Sequence, residues 1–436
     1  MNIIEQFGTE DHAAQLRASR ARSRALTQDL RGAQLIGPRL PIVNPFLWEL
    51  GHIAWFQERW CLRRRDDGVL ADSLLPGADA LYDSAAVAHE LRWDLPLPTH
   101  EATLAYQDRV LDLVQERLQR EAGRPGLAYF AQLAAFHEDM HAEAFHYMRQ
   151  TLAHAAPLLP PSYRAQGRAA ATNAAAPAGD ACIAGGRYFL GARRSAEFVF
   201  DNEKWEHPVE LGPFRIGRCC VDNAQFLEFV EERGYQRREL WSETGWHWLQ
   251  QGGAQAPRYW RNLDGQWQLR RFAAWLPLPL REPVTHVNWH EAQAYCRFAG
   301  RRLPSEAEWE IAASGADRGA RRRYPWGDAR PEMEHANLEG DAPAPVDALP
   351  RGSSVHGCRQ LIGNVWEWTN SAFAPYPGFV PDPYKEYSAP WFGTHKVLRG
   401  GSFSTPARLI RNTWRNFYMP ERYDIFAGFR TCAIEN

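Results

Sequence analysis

The sequence predicts an α plus α+β protein: an N-terminal four-helix bundle followed by a domain of short strands, turns and few helices. Three observations carry this. Four segments between residues 11 and 153 place apolar side chains at three- and four-residue intervals. A stretch of proline, alanine and glycine without a periodic apolar face, residues 157–181, interrupts the chain. From Cys182 onward, short strand-like runs alternate with Gly and Pro turns. The predicted organisation is therefore a bundle over 1–156, a linker over 157–181 and a second domain over 182–436.

The four helical segments are "DHAAQLRASRARSRALTQDL", "NPFLWELGHIAWFQERWCLRRR", "THEATLAYQDRVLDLVQERLQREAG" and "GLAYFAQLAAFHEDMHAEAFHYMRQTLAHA". Asn44-Pro45 opens the second with a cap and a proline at the first helical position. In the second domain one helical region is clear, "HEAQAYCRFAG" followed by "PSEAEWEIAAS". No internal repeat is evident.

Composition removes several classes. At 436 residues, 45% hydrophobic and 23% charged, with a formal net charge of -2, the chain has the profile of a soluble protein of two domains. Near-neutral charge gives no electrostatic reason to expect nucleic acid. No apolar run approaches the ~20 residues that span a bilayer, and "MNIIEQFGTEDHAAQLRASR" does not read as a secretory signal, so a cytoplasmic location is expected. Seven cysteines without a CxxC spacing read as reduced, mostly buried thiols. The 18 tryptophans, most of them in the second half, call for a large aromatic core or an aromatic-lined cleft there.

Within "AAFHEDMHAEAFHYM", His137 and His141 lie four places apart. On a helix such residues are rotated by about 40° and lie about 6 Å apart, so both can reach one ion. An isolated HxxxH is more often a solvated or hydrogen-bonded pair. Here Ala134, Ala135, Phe136, Ala142, Ala144 and Phe145 surround it, which favours an interior position. His52, beside Trp48, Leu50 and Trp55, is the expected third ligand. His146 points off that face and is expected at an interface or the surface; His89 is expected in a loop; Glu143 is a candidate acceptor for a ligating imidazole. Three imidazoles suit zinc, iron or copper and leave positions open for substrate, as a catalytic site requires.

"NPFLWELGHIAWF" followed by "HEDMHAE" resembles the DinB-type helical domain of the ergothioneine-pathway sulfoxide synthases, the EgtB family. "PVTHVNWHEAQAYCRFAGRRLPSEAEWEIAA", "YPWGD", "GCRQLIGNVWEWTNS" and "VLRGGSFS" resemble the formylglycine-generating-enzyme scaffold, a C-type-lectin-like fold, and the two likenesses together cover nearly the whole chain. The resemblance implies a non-heme Fe(II) held by His52, His137 and His141, with hercynine bound through its imidazole. A chalcogen donor and O2 take neighbouring positions, and a bond forms at imidazole C2. It implies a proton donor at Tyr387, ten residues before "VLRGG". By position in the tail "RNFYMPERYDIFAGFR", it implies hercynine contacts at Asp424, Ile425 and Phe426 and a donor-carboxylate contact at Arg430. Phe426 with Phe417 or Tyr418 would offer aromatic faces to the quaternary ammonium, although an arginine in "GFR" reads equally well as part of the scaffold.

Two departures bear on the donor. Met140 stands where the γ-glutamylcysteine-using members carry glutamine, and the basic pair of their loop is replaced by "YDSAAVAHELRWDLPLP", whose one arginine is Arg92. Met140 and Arg92 are thus expected near the substrates, and a donor with few charges is expected: a selenosugar, as in the selenoneine-synthase (SenA) branch, or cysteine. Other classes remain as alternatives, a zinc DinB-type thiol transferase or a lectin-like binding module. A true formylglycine-generating enzyme is disfavoured because its copper-holding cysteine pair is reduced here to Cys432, and an ovothiol-type synthase because no methyltransferase domain follows.

Overall fold

A computed structural model describes residues 11–65, 67–160, 179–194, 197–315 and 321–434. The chain divides into two compact units, one of Met1–Leu152 with Pro157–Leu159, the other of Ala153–Ala156 with Pro160–Asn436. Most of the stretch expected as a linker lies outside the described residues.

The first unit contains α1 (His12–Thr27), α2 (Ala33–Ile36), α3 (Phe46–Glu58), α4 (Ala78–Tyr82), α5 (His100–Arg120) and α6 (Pro125–Thr151). The four long helices pack α1 on α6, α3 on α5 and α3 on α6. Asp11 caps α1 through Ala14 N and Thr99 caps α5 through Ala102 N, each satisfying an amide the first turn leaves open. The start of α3 differs from expectation: Pro45 is the cap residue, with no side-chain cap bond, and the Asn44 amide donates instead to Glu49 Oε1 at 2.5 Å. All 13 residues of α3 are buried, so it is the central helix of the unit and has no solvent face to show.

Burying α3 on every side also buries its polar groups, and these are satisfied by neighbouring elements. Arg20 of α1 bonds Glu138 of α6, Gln57 of α3 and the Gln107 carbonyl of α5, tying four helices through one guanidinium. Short α4 accepts from α3 three times: Trp48 Nε1 to Leu81 O, Trp55 Nε1 to Asp79 Oδ1, and His52 Nδ1 to Tyr82 O. A five-residue π-helical turn, Arg59–Arg63, extends α3 and places Arg63 on Asp79.

The second unit has thirteen named strands among the described residues: β1 (Asp180–Ile183), β2 (Gly186–Leu190), β3 (His207–Leu211), β4 (Phe214–Gly217), β5 (Trp260–Leu263), β6 (Gln266–Arg271), β7 (Ala274–Pro277), β8 (Arg301–Arg302), β9 (Trp366–Ala372), β10 (Lys396–Arg399), β11 (Arg415–Tyr418), β12 (Ala427–Gly428) and β13 (Cys432–Ala433). They form sheets of order β1-β4-β13-β8, β11-β10-β9-β12, β5-β6-β7 and a β2-β3 pair. Four helices accompany them, α7 (Asn223–Glu231), α8 (Glu243–Gly252), α9 (Trp289–Phe298) and α10 (Glu306–Ser314). The single helical region expected near 289–314 is two helices, each opened by a reciprocal capping box, Asn288 with Glu291 and Ser305 with Glu308. α7 and α8 were not anticipated.

Strands this short supply few ladder bonds, and buried ion pairs join them. Arg399 reaches Glu306 and Glu310, Arg415 reaches Glu306, and Arg430 reaches Glu367, all among buried residues. Glu367 also accepts from Trp309 Nε1 at 2.9 Å. In "VLRGG", Gly400 has φ +97°, and a Cβ there would run into the Leu361 carbonyl, so only glycine fits.

Candidate metal centre

His52 on α3 and His137 and His141 on α6 converge, with one ring nitrogen from each lying within 4.8 Å of the others. Ring centroids are 5.0 Å apart for His52 with either partner and 4.4 Å for His137 with His141. The hydrogen-bond partners decide which nitrogens point inward. His52 Nδ1 meets the Tyr82 carbonyl at 2.7 Å, which fixes that nitrogen as the N–H and leaves Nε2 as a lone pair. His141 Nδ1 meets Glu49 Oε2, which does the same for its Nε2.

Rings hold these orientations. His52 lies between Trp48, centroids 4.8 Å apart and nearly parallel, and Trp55 at 5.7 Å. Phe56 stacks on His137 at 3.6 Å with 5° between planes. Outside the two tryptophans sit guanidiniums, Arg92 at 4.0 Å from the Trp48 ring centre and Arg59 at 5.2 Å from that of Trp55.

Charge behaviour fits a ligand set. Burial, reinforced by the neighbouring His141, lowers the His52 imidazole to about 3. Burial first, then its two histidine neighbours, pushes His137 well below its ordinary value. Both rings are therefore neutral at pH 7, the form that ligates a metal. Burial would raise the Glu49 carboxyl, but His141 and the Asn44 amide outweigh it and hold it at about 2. Glu49 is a carboxylate at every physiological pH.

The donor set fits one metal ion. His141 Nε2 and His137 Nε2 are 3.2 Å apart. Two imidazoles at about 2.1 Å from a common ion would be ~3.0 Å apart at a right angle and ~3.4 Å apart at a tetrahedral one. The ligands are three imidazole nitrogens with no protein carboxylate among them, and a metal held this way would keep open positions.

Other expected residues distribute as follows. Met140 is half-buried one place before His141. Arg92 is half-buried, and its Nη groups bond Asn44 Oδ1 and the carbonyls of Ser84 and Val87. His146 is not at the surface: it is fully buried, and burial lowers its imidazole well below the usual value. His89 lies in a short 3-10 turn, its Nε2 on the Val43 carbonyl. The acceptor on His141 Nδ1 is Glu49, a residue not singled out from the sequence; Glu143, the candidate named for that role, is buried on α6. A glutamate inside an otherwise apolar helix, in "PFLWELGHIAW", was the available signal, because a buried carboxylate needs a partner.

In the second unit Tyr387 is half-buried, its ring against Phe200 and Phe417 at 4.4 and 5.7 Å. Burial keeps its hydroxyl protonated, far above the ordinary range. Phe417 also stacks on Phe373 at 4.0 Å, and Tyr418 packs under Arg422. Asp424 is buried and takes both its oxygens to Arg422 at 2.6 Å. Ile425 is buried beside it, and Phe426 packs against His286 and Phe403. Arg430 does not have the geometry expected of a carboxylate-binding residue. It is fully buried, and its three nitrogens bond Glu367 and the carbonyls of Gly217, Arg218 and Arg359, which makes it part of the scaffold.

A helical unit carrying three converging histidines, followed by a strand-rich unit, defines a class of two-unit proteins with a candidate metal centre. Residues 15–145 match the DinB superfamily, and residues 166–435 match the sulfatase-modifying factor enzyme 1-like domain. Hercynine oxygenase of Mycobacterium tuberculosis is 38% identical over 436 residues, covering 97% of this chain and 98% of that protein. That of Mycolicibacterium thermoresistibile is 38% identical over 94% of this chain and 92% of its own. The formylglycine-generating enzyme of Streptomyces coelicolor is 34% identical over 52% of this chain and 78% of its own. The chain belongs to the hercynine oxygenase family, the EgtB type. Among the described residues no helix is long and apolar enough to cross a membrane.

Proposed function

We propose that this chain is a non-heme Fe(II) enzyme that uses O2 to join a chalcogen donor to imidazole C2 of hercynine, with a selenosugar as the preferred donor. The observation that carries the reading is the convergence of His52, His137 and His141 with two of the three rings fixed by Tyr82 and Glu49. Iron would be held by the three imidazoles and would supply one centre at which both organic partners and the oxidant meet, removing the entropic cost of a three-body encounter. In the balanced reaction the imidazole C–H and the donor chalcogen–H give way to a carbon–chalcogen bond. O2 delivers one oxygen to the chalcogen and the other to water.

The protein residues hold and shield. Trp48, Trp55 and Phe56 cover the imidazole faces and keep water from them. Tyr387, with its hydroxyl held neutral by burial, is assigned as the proton donor. Donor preference follows from charge. The Nη groups of Arg92 and the whole guanidinium of Arg430 are engaged within the fold, which supports a donor with few charges over γ-glutamylcysteine, whose two carboxylates need arginine partners.

The test is turnover by the anaerobically Fe(II)-loaded chain with hercynine, O2 and one donor at a time, read by mass spectrometry. The selenosugar is expected to give the highest kcat/KM and cysteine a lower one. Zinc-loaded protein is expected to be inert, and Tyr387→Phe is expected to lower kcat by 10²-fold or more. Turnover with γ-glutamylcysteine alone would sink the donor assignment.

A further inference from the structure

Arg92, Asn44, Glu49 and His141 form one continuous run of hydrogen bonds. Arg92 Nη1 donates to Asn44 Oδ1 at 2.8 Å, Asn44 Nδ2 to Glu49 Oε1 at 2.5 Å, and Glu49 Oε2 accepts from His141 Nδ1. Arg92 also approaches the second ligand by another route, since it lies over Trp48, which stacks on His52. One guanidinium thus communicates with two candidate ligands, His141 and His52, and one carboxylate bonds His141 directly.

We propose that Glu49 and Arg92 are positioning residues of opposite sign that set the orientation and the net charge of the three-histidine centre. This inference rests on the metal-binding reading above. Glu49 fixes the His141 ring and adds a negative charge to a ligand set that otherwise has none, which makes the imidazole more basic and the site better suited to a cation. Asn44 cannot rotate without breaking a bond at one end or the other, because its oxygen faces a donor and its amide faces an acceptor. Arg92 limits that negative charge from the far side of the relay. The arrangement accounts for why the single arginine of the 82–98 segment is turned inward onto Trp48.

A purely structural role and an electrostatic one differ in sign. If Glu49 and Arg92 only brace the helix, either substitution disturbs the site in the same sense. If they set its charge, removing each moves the metal's properties in opposite directions. The experiment uses the full chain, with Co(II) and anaerobic Fe(II) as probes, measuring binding by competition titration, the visible Co(II) spectrum, and the potential of the bound Fe(III)/Fe(II) couple.

Glu49→Gln is expected to weaken Fe(II) and Co(II) binding by about 10- to 100-fold, to shift the Co(II) bands and to raise the potential. Arg92→Met, which keeps an apolar stem on Trp48, is expected to leave binding unchanged or tighter and to lower the potential. Glu49→Gln binding within threefold of the parent with an unchanged spectrum overturns the inference, as does a potential moving the same way in both variants. Should Glu49→Gln not fold, Arg92→Met decides alone: a lowered potential supports the inference and an unchanged or raised one overturns it. Failure of the parent chain to bind either ion would instead overturn the metal-binding reading, so the two failures are distinguishable.

Discussion

His52 shows how much a single side chain inherits from its neighbours. Its useful lone pair exists because the Tyr82 carbonyl claims the other nitrogen, and that carbonyl is in place because Tyr82 packs over a residue with no side chain, Gly51. A Cβ at Gly51 would fall inside the Tyr82 ring, and Tyr82 is fully buried. Gly51→Ala is therefore expected to destabilise the protein by about 1–3 kcal/mol through overpacking, although alanine is the better helix former by up to ~1 kcal/mol. It should also loosen metal binding, because Tyr82 must move. The measurement is a double-mutant cycle with Tyr82→Ala, which makes room: additive losses would show that the clash is not the cause. At this scale the three histidines were legible in the sequence, since helical spacing and apolar surroundings are local signals. Glu49 left a signal, a lone carboxylate in an apolar helix, but its partner did not, and the Tyr82 carbonyl left none, because such a pairing becomes visible only when the element that carries the acceptor meets the ring it serves.

Among elements, α3 and the four helices around Arg20 carry the organisation of the first unit. The four long helices were readable from three- and four-residue periodicity: three have their observed bounds inside the predicted segments, and α6 begins one residue earlier than predicted, at Pro125. The cap of α3 was misjudged because Asn44 has a better partner in Glu49 than in its own helix amides. Arg20 and Glu138 are buried and doubly bonded, with side-chain exposures of 3% and 2%. Arg20→Leu strands the Glu138 carboxylate in the interior and is expected to cost about 3–5 kcal/mol, whereas replacing both partners with apolar residues should cost far less. Removing the exposed Arg39–Asp94 pair, at 51% and 62%, should cost under about 1 kcal/mol. Urea unfolding of the three variants tests this; equal losses at the buried and exposed pairs would contradict it. In the second unit the strings that carried the family resemblance turn out to be scaffold: Glu306 and Glu310 of "PSEAEWEIAA" hold Arg399 of "VLRGG", and Glu367 of "NVWEWTN" holds Arg430 of "GFR". Ion pairs between residues so distant in sequence leave no periodic trace, which is why short strands were expected there as a class while the individual strands, of two to seven residues, were not placed.

For the whole molecule, a formal net charge of -2 says little about pH response; buried titratable groups decide it. Glu291 is the sharpest case in the second unit. It opens α9 through its bond to Asn288 N and accepts from Tyr235, yet burial outweighs both bonds and raises its carboxyl from 4.5 to about 7. Between those two values the unfolded chain has released a proton that the folded chain still holds, so stability falls as pH rises across the window. Below 4.5 both states are protonated and there is no penalty; above 7 both are ionised and the penalty is complete, at about 3 kcal/mol for a shift of this size. Glu291→Gln removes the titration while keeping a side chain of the same shape, and whatever it changes in the capping bonds is constant with pH. The stability difference between variant and parent should therefore move in the variant's favour from pH 4.5 to 7 and level off beyond, when both are unfolded in urea at stepped pH. A flat difference across that range would mean that Glu291 is ionised in the folded protein throughout, and that the Tyr235 hydroxyl and the Asn288 amide outweigh the cost of burying its charge.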